Sequence, residues 1–177
     1  MLMPVLSNLR GNGARAVVLS VYGNRDYDDA LLETKDIFER QGFTVCAAGA
    51  FIGEHSYSAK VDGGRPDRDD IVAAQSFAIL AGVKVKAAKP IAKPVRGNRP
   101  YKELGPFMTA PKPAPELDAE KCTHCGKCIS VCPVNNLTAD LKDEGKCIAC
   151  AACVKLCPQG ARAFMDEHIA AVREKLE

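Results

Sequence analysis

The stretch from Cys122 to Cys157 holds eight of the chain's nine cysteines in two near-identical runs. They read Cys122-Thr-His-Cys125-Gly-Lys-Cys128-Ile-Ser-Val-Cys132-Pro133 and Cys147-Ile-Ala-Cys150-Ala-Ala-Cys153-Val-Lys-Leu-Cys157-Pro158. Both follow the pattern CxxCxxCxxxCP, which binds cubane [4Fe-4S] clusters. Three thiolates at this spacing wrap a loop around three corners of a cube and leave the fourth corner open. The sequence therefore predicts two [4Fe-4S] clusters.

The fourth cysteine of each run is predicted to bind the cluster of the other run, as in proteins with two such runs. One predicted ligand set is Cys122, Cys125, Cys128 and Cys157. The other is Cys147, Cys150, Cys153 and Cys132.

Three other uses of clustered cysteines compete with this interpretation. Structural zinc also takes four thiolates, but usually from two CxxC pairs separated by a longer loop. Disulfides belong to secreted chains, and Met1-Leu-Met-Pro lacks the basic and apolar regions of a signal peptide. Free structural thiols would not need this density or this repeated spacing. The pattern favours clusters over all three.

Charge and hydropathy narrow the functional class. The net charge of +2 in 177 residues argues against nonspecific nucleic-acid binding. The sequence contains no run of about 18 apolar residues, so it predicts no membrane span. Many cysteines without a signal for secretion are typical of a protein in a reducing cytoplasm.

Residues 114–165 resemble the bacterial dicluster ferredoxins. The resemblance rests on both cysteine runs, on Gly126, and on the small residues Ala149, Ala151 and Ala152 between the ligands. Small side chains let backbone N–H groups approach the cluster sulfurs. The two halves look like an internal repeat, and the resemblance implies a pseudo-twofold unit of loops and short helices. We expect the metal to contribute to the folding of so small a domain.

The front half shows an α/β pattern. Apolar runs at 16–21 and 43–52 predict parallel strands covered on both faces, with a helix between them that begins after Asp29. Cys46, inside the second run, is expected to be a buried hydrophobic residue. Pro66 and Asp67 open another helix.

Composition changes after this half. Lys89–Pro115 holds seven of the eleven prolines and many basic residues, so residues 89–113 are predicted to form an extended, solvated Pro-rich basic linker. Docking of an acidic partner on this basic stretch is the less favoured alternative. Residues 166–177 are predicted to form a C-terminal helix capped by Asp166.

Residues 1–88 look like the C-terminal half of a flavodoxin-like domain. The resemblance rests on three stretches, residues 20–29, 50–58 and 64–67. With residues 114–165, they resemble a bacterial and archaeal family in which a flavodoxin-like domain is fused to a dicluster ferredoxin. The predicted fold class is therefore α/β plus α+β, a partial flavodoxin-like parallel sheet followed by a bacterial dicluster ferredoxin domain. By resemblance, Tyr22, Gly23 and Asn24 would contact a flavin ring, although a plain turn would select the same residues.

The phosphate-binding loop of a flavodoxin has no counterpart here. Such a loop is rich in Ser, Thr and Gly and follows the first strand, whereas nothing before Ala16 matches it. We therefore expect an N-terminally shortened member of the family, with FMN bound only by a full-length parent. The open sheet edge predicts an oligomer or a complementing fragment that covers it.

These observations favour a one-electron carrier that serves redox partner proteins over an enzyme. The alternative is a flavin-dependent iron-sulfur oxidoreductase with a substrate site at Tyr22, His55 and Tyr57. A third hypothesis is that the clusters only staple the fold. His124, between two ligands, is expected to tune a cluster rather than bind it.

Overall fold

The computed structural model describes residues 3–106 and 110–177 and divides the chain into two compact units. The first unit extends to His55 and resumes at Val61–Glu103, and the second comprises Ser56–Lys60 and Leu104–Glu177. Residues 1–2 of the predicted first domain and 107–109 of the predicted linker lie outside the described residues.

The first unit is a two-stranded parallel sheet with helices. In chain order its elements are α1 Met3–Leu6, β1 Arg15–Tyr22, α2 Ala30–Arg40, β2 Thr44–Ile52 and α3 Arg68–Lys86. β1 and β2 pair from Arg15 with Thr44 to Tyr22 with Ile52. Both α2 and α3 pack on the sheet. The parallel pair predicted from the two apolar runs is confirmed, whereas a flavodoxin-like fold is not.

The core of this unit lies between the sheet and α2. Val18, Leu31 and Val45 form its buried centre. Cys46 has no exposed surface, as predicted for a buried hydrophobic residue. Elsewhere on the sheet, the rings of Phe51 and Phe77 meet edge to face at a centroid distance of 5.3 Å.

The prediction that both faces of β1 are covered is wrong. Side chains alternate between faces along a strand, and those on the face opposite Val18 are largely exposed. Val17, Leu19 and Val21 are 38%, 53% and 75% exposed. The continuous apolar run reflects β-branched composition, but α3 packs mainly on β2 and leaves this face of β1 open.

The predicted linker over 89–113 also differs from the structure. Residues 89–103, here called the strap, belong to the first unit. The N–H of Ile91 donates to the carbonyl of Val45 at 2.8 Å, and Ile91 and Val95 pack against the core. Within the strap no helix or strand forms, as proline density predicted, but these two apolar side chains fix the strap to the sheet.

Polar contacts hold the rest of the strap on α2. Asp29 precedes α2, as the sequence predicted, but its side chain makes no capping hydrogen bond. Its buried carboxylate instead accepts the backbone N–H groups of Asn98 and Lys102, both at 2.7 Å. These two N–H donors of the strap lower the pKa of Asp29, and the hydrogen bond from Lys102 has the larger effect.

The second unit contains short elements. They are β3 Glu116–Leu117, α4 Lys127–Ser130, α5 Ala152–Lys155, β4 Arg162–Ala163 and α6 Glu167–Leu176. β3 and β4 pair antiparallel, with Leu117 opposite Arg162. The predicted C-terminal helix is present, and Asp166 caps it by accepting the N–H of Ile169 at 3.0 Å. Every helix within the described ranges is too short or too polar to cross a bilayer.

Candidate metal centre

The two cysteine runs fold into equivalent loops 25 residues apart. Each loop enters its short helix through a residue in the left-handed region. Gly126 precedes α4 with φ 70°, and Ala151 precedes α5 with φ 61°. Two residues earlier, His124 and Ala149 also have positive φ, 53° and 54°. The repeated backbone turns each chain segment around a cavity.

Each cavity is lined by three cysteines of one run and the last cysteine of the other. The first cysteine set, around one cavity, is Cys122, Cys125, Cys128 and Cys157. The second cysteine set, around the other, is Cys132, Cys147, Cys150 and Cys153. The structure thus brings the predicted ligands together crosswise, in the two groups expected from the sequence.

Backbone amides point at sulfurs in matching positions of the two repeats. The N–H groups of His124 and Ala149 donate to the sulfurs of Cys122 and Cys147, both at 3.4 Å. Near the ends of the runs, Asn136 and Ala161 donate to Cys132 and Cys157, each at 3.2 Å. Such donors stabilise thiolates and lie where a cluster ligand needs them.

The environment shifts the pKa of three of these thiols. Burial raises the pKa of Cys153 to about 11, against the opposing charge of Arg162. Burial likewise raises the pKa of Cys147. The pKa of Cys157 is lowered, chiefly by the N–H of Ala161. Because a thiolate is the metal-binding form, a metal at the second set would displace a proton from Cys153 at neutral pH.

Each cavity combines thiols, backbone amides and a buried cation. Within residues 3–106 and 110–177, no three side chains of His, Cys, Asp or Glu are placed to hold a single metal ion. The four thiols of each set instead surround a cavity. Both cavities are also lined by Arg162, whose Nε is buried and has no hydrogen-bond partner among the described residues. Four thiols, convergent amides and an unused cationic donor fit an anionic cluster.

An aromatic pair adjoins the second cysteine set. Phe164 lines that cavity, and the ring of Tyr57 meets it edge to face with centroids 5.8 Å apart. The pKa of Tyr57 is raised mainly by burial, and the nearby thiols of Cys147 and Cys150 add to this effect. The segment Ser56–Lys60 is fixed to the second unit by Ser58 and Lys60, which bind Glu177 at 2.7 and 2.6 Å.

The three residues of the predicted substrate site fall in two units, and that site stays a prediction. Tyr57 belongs to the second unit, whereas Tyr22 and His55 belong to the first. His124 is exposed and offers its backbone N–H, so its contact with Cys122 depends on the main chain rather than on imidazole.

The three predicted flavin contacts lie at the end of β1. A Cβ on Gly23 would come within 2.9 Å of the Cα of His55, which explains why glycine is needed there. The Asn24 amide donates to the Asp62 carboxylate. The ring of Tyr22 packs on Tyr27 with centroids 5.2 Å apart. Their role toward a flavin stays a prediction.

Comparison with protein-family models agrees with the cysteine geometry. The model described as the 4Fe-4S binding domain matches twice, at residues 115–138 and 141–163. The two matches support a dicluster ferredoxin-like domain at residues 115–163. The match does not extend to residues 1–88, and both their flavodoxin-like fold and its fusion to a ferredoxin stay predictions. No curated protein and no solved structure matches the chain.

Proposed function

We propose that this chain is a one-electron carrier that binds two [4Fe-4S] clusters, one in each cysteine set. The ferredoxin-like domain supports an iron-sulfur electron-transfer role. The observation that carries the finer proposal is the presence of two cavities, each lined by four thiols from both runs. A ferredoxin-like domain also implies redox partner proteins.

The protein's own groups would set how such clusters behave. A bound [4Fe-4S] cluster supplies one-electron transfer at a potential that depends on net charge, hydrogen bonds to sulfur and solvent exposure. Backbone amides at Cys122, Cys132, Cys147 and Cys157 supply the hydrogen bonds. Phe164, which lines the second cavity, and Tyr57, which packs on it, would place apolar surface beside the second set.

Iron analysis tests this proposal. After anaerobic reconstitution we expect about eight irons per chain, four per cubane, with an EPR signal on reduction. Cys125→Ala should lose about half the iron, because it breaks one set. Cys46→Ala is the matched control and should keep all of it, since Cys46 lies in the core of the first unit.

Two outcomes would count against the proposal. Fewer than about four irons in the parent would mean that not even one cubane assembles. A full iron content without reversible one-electron reduction would mean that the clusters only stabilise the fold.

We further propose that a flavin couples to the clusters, although the residues before β1 offer no Ser-, Thr- and Gly-rich phosphate loop, so we expect this chain to bind FMN weakly. Tyr22, Gly23 and Asn24 would then line the ring of FMN. The adjacency of Gly23 and His55 supports a shaped turn at this place. Stoichiometric FMN retained by this chain after gel filtration would contradict this expectation of weak binding.

The open face of β1 supports a partner for the first unit, either a second copy or a complementing fragment. Leu19 and Val21 are more than half exposed, as are Ile79 and Val83 on α3. Exposed apolar side chains in this number are typical of surfaces that become covered. A single-chain mass of 19.0 kDa by light scattering would exclude self-association at that concentration.

A further inference from the structure

Arg162 of the second unit is a buried arginine that lines both cysteine cavities. It lies in β4 opposite Leu117 and is only 5% exposed. Its side chain lines the cavities of both cysteine sets. It is therefore a buried positive charge that adjoins both predicted clusters.

The protein itself leaves this charge without a counter-ion. Two guanidinium nitrogens donate to the backbone carbonyls of Pro115 and Leu141, at 3.1 and 2.9 Å. The third, Nε, is buried with no partner among the described residues. No carboxylate in those residues pairs with Arg162, although twelve ion pairs form elsewhere.

An unpaired buried cation is unfavourable. Moving an ion from water into the protein interior carries a large desolvation cost unless an opposite charge compensates it. Neutral carbonyls satisfy two of the nitrogens but do not neutralise the charge. The groups that line the same two cavities as Arg162 are the cysteines of the two sets, which become anionic when they bind a cluster.

We propose that the Arg162 guanidinium is a counter-ion shared by both clusters and that it raises the reduction potential of each. This inference rests on the proposed function. Each reduction adds one negative charge to a cavity beside Arg162, and a nearby cation stabilises that charge. The unused Nε–H is the donor left for the bound group.

The test compares neutral and charged replacements in the reconstituted full chain. Arg162→Met removes the charge, and Arg162→Gln removes it while keeping a hydrogen-bond donor. Arg162→Lys keeps the charge. Arg173→Met is the matched control, because Arg173 is an exposed arginine on α6 of the same unit. Iron content is measured first, and both potentials are then resolved by an EPR-monitored redox titration.

We expect the neutral variants to bind full iron and to lower both potentials. At a fixed potential the reduced-to-oxidised ratio should fall by about tenfold, which is ~59 mV for one electron. Arg162→Lys should stay close to the parent, and Arg173→Met should match it. Loading of iron by Arg162→Lys but by neither neutral variant would also support the proposal, because it would show that the site needs the charge.

Other results would overturn the inference. Fully loaded neutral variants with unchanged potentials, or with a shift no larger than that of Arg173→Met, would remove the counter-ion role. A shift in only one potential would contradict a shared role. Loss of iron in Arg162→Lys as well would assign the residue to folding through its carbonyl contacts. Failure of the parent to bind iron would instead refute the proposed function.

Discussion

Main-chain geometry, rather than side-chain chemistry, organises the cysteine loops at the residue scale. Positive φ at His124 and Ala149 turns their N–H groups toward the sulfurs of Cys122 and Cys147. An L-residue in the left-handed region costs roughly 1–2 kcal/mol relative to glycine. Gly126 meets this demand in the first loop, whereas Ala151 carries the strain in the second.

Single substitutions at these two positions should have unequal effects on stability. Gly126→Ala should lower stability by about 1–2 kcal/mol, since a Cβ there touches nothing within 4 Å and only the strain remains. Ala151→Gly should change stability by less than about 1 kcal/mol. Relief of strain there is offset by the loss of a buried methyl group, worth about 0.8 kcal/mol, and by the extra chain entropy of glycine.

The measurement is the denaturant concentration at which the visible absorption of the loaded protein disappears. The midpoint should fall for Gly126→Ala and move little for Ala151→Gly. A larger loss in Ala151→Gly than in Gly126→Ala would show that methyl packing, and not backbone strain, dominates in these loops.

At the scale of elements, the strap connects α2 to the sheet through an ion pair. Both oxygens of Asp36 accept hydrogen bonds from Arg99, at 2.7 and 2.6 Å, and the Tyr101 hydroxyl donates to the same carboxylate at 2.6 Å. The Asp36 side chain is 10% exposed, whereas that of Arg99 is 59% exposed. The pKa of Asp36 is lowered to about 2 despite its burial. The hydrogen bonds from Arg99 have the largest effect, and that from Tyr101 adds to it.

Asp36→Asn should therefore weaken the first unit in a pH-dependent manner. We expect a loss of about 1–2 kcal/mol near neutral pH, less than for a fully buried pair because Arg99 is screened by water. The folded-state pKa lies below the unfolded value of about 3.9. The stabilisation by Asp36 is thus complete above pH ~4 and disappears as the pH falls through ~2.

Amide hydrogen exchange in β1 and β2, corrected for intrinsic rates, measures this effect at pH 6 and pH 3. The difference between parent and Asp36→Asn should shrink at the lower pH. Glu39→Gln is the control, since its exposed pair with Lys35 should contribute no more than about 0.5 kcal/mol. A difference that is equal at both pH values would mean that the charge of Asp36 does not stabilise the strap.

Sequence patterns predicted the elements better than their contacts. Apolar runs located β1 and β2, and Asp166 marked the start of α6, because these signals are local. The strap was misjudged because proline density excludes regular structure but does not say where Ile91 and Val95 pack. The exposed face of β1 was misjudged for a similar reason, since composition cannot report what covers a strand.

For the whole molecule, the cysteine repeat predicted which side chains meet, but not what lies between them. Crosswise grouping follows from a repeated motif and is visible in the sequence. Arg162 and Tyr57 carry no motif. Arg162 becomes notable only when β4 pairs with β3 and buries it, and Tyr57 only when the segment 56–60 joins the second unit. An arginine five residues after a ligand cysteine is the signal in the sequence that could have drawn attention to it.

The central claim is that each cluster takes three cysteines from one run and one from the other. Two double variants test it directly by iron content after anaerobic reconstitution. Cys122→Ala with Cys157→Ala removes two ligands of the first set and leaves the second complete, so about four irons should remain. Cys122→Ala with Cys132→Ala damages both sets, and the protein should bind well under half of the parent's iron. If instead Cys122→Ala with Cys132→Ala kept about four irons and Cys122→Ala with Cys157→Ala kept far fewer, each run would bind its own cluster. That result would contradict the crosswise sets.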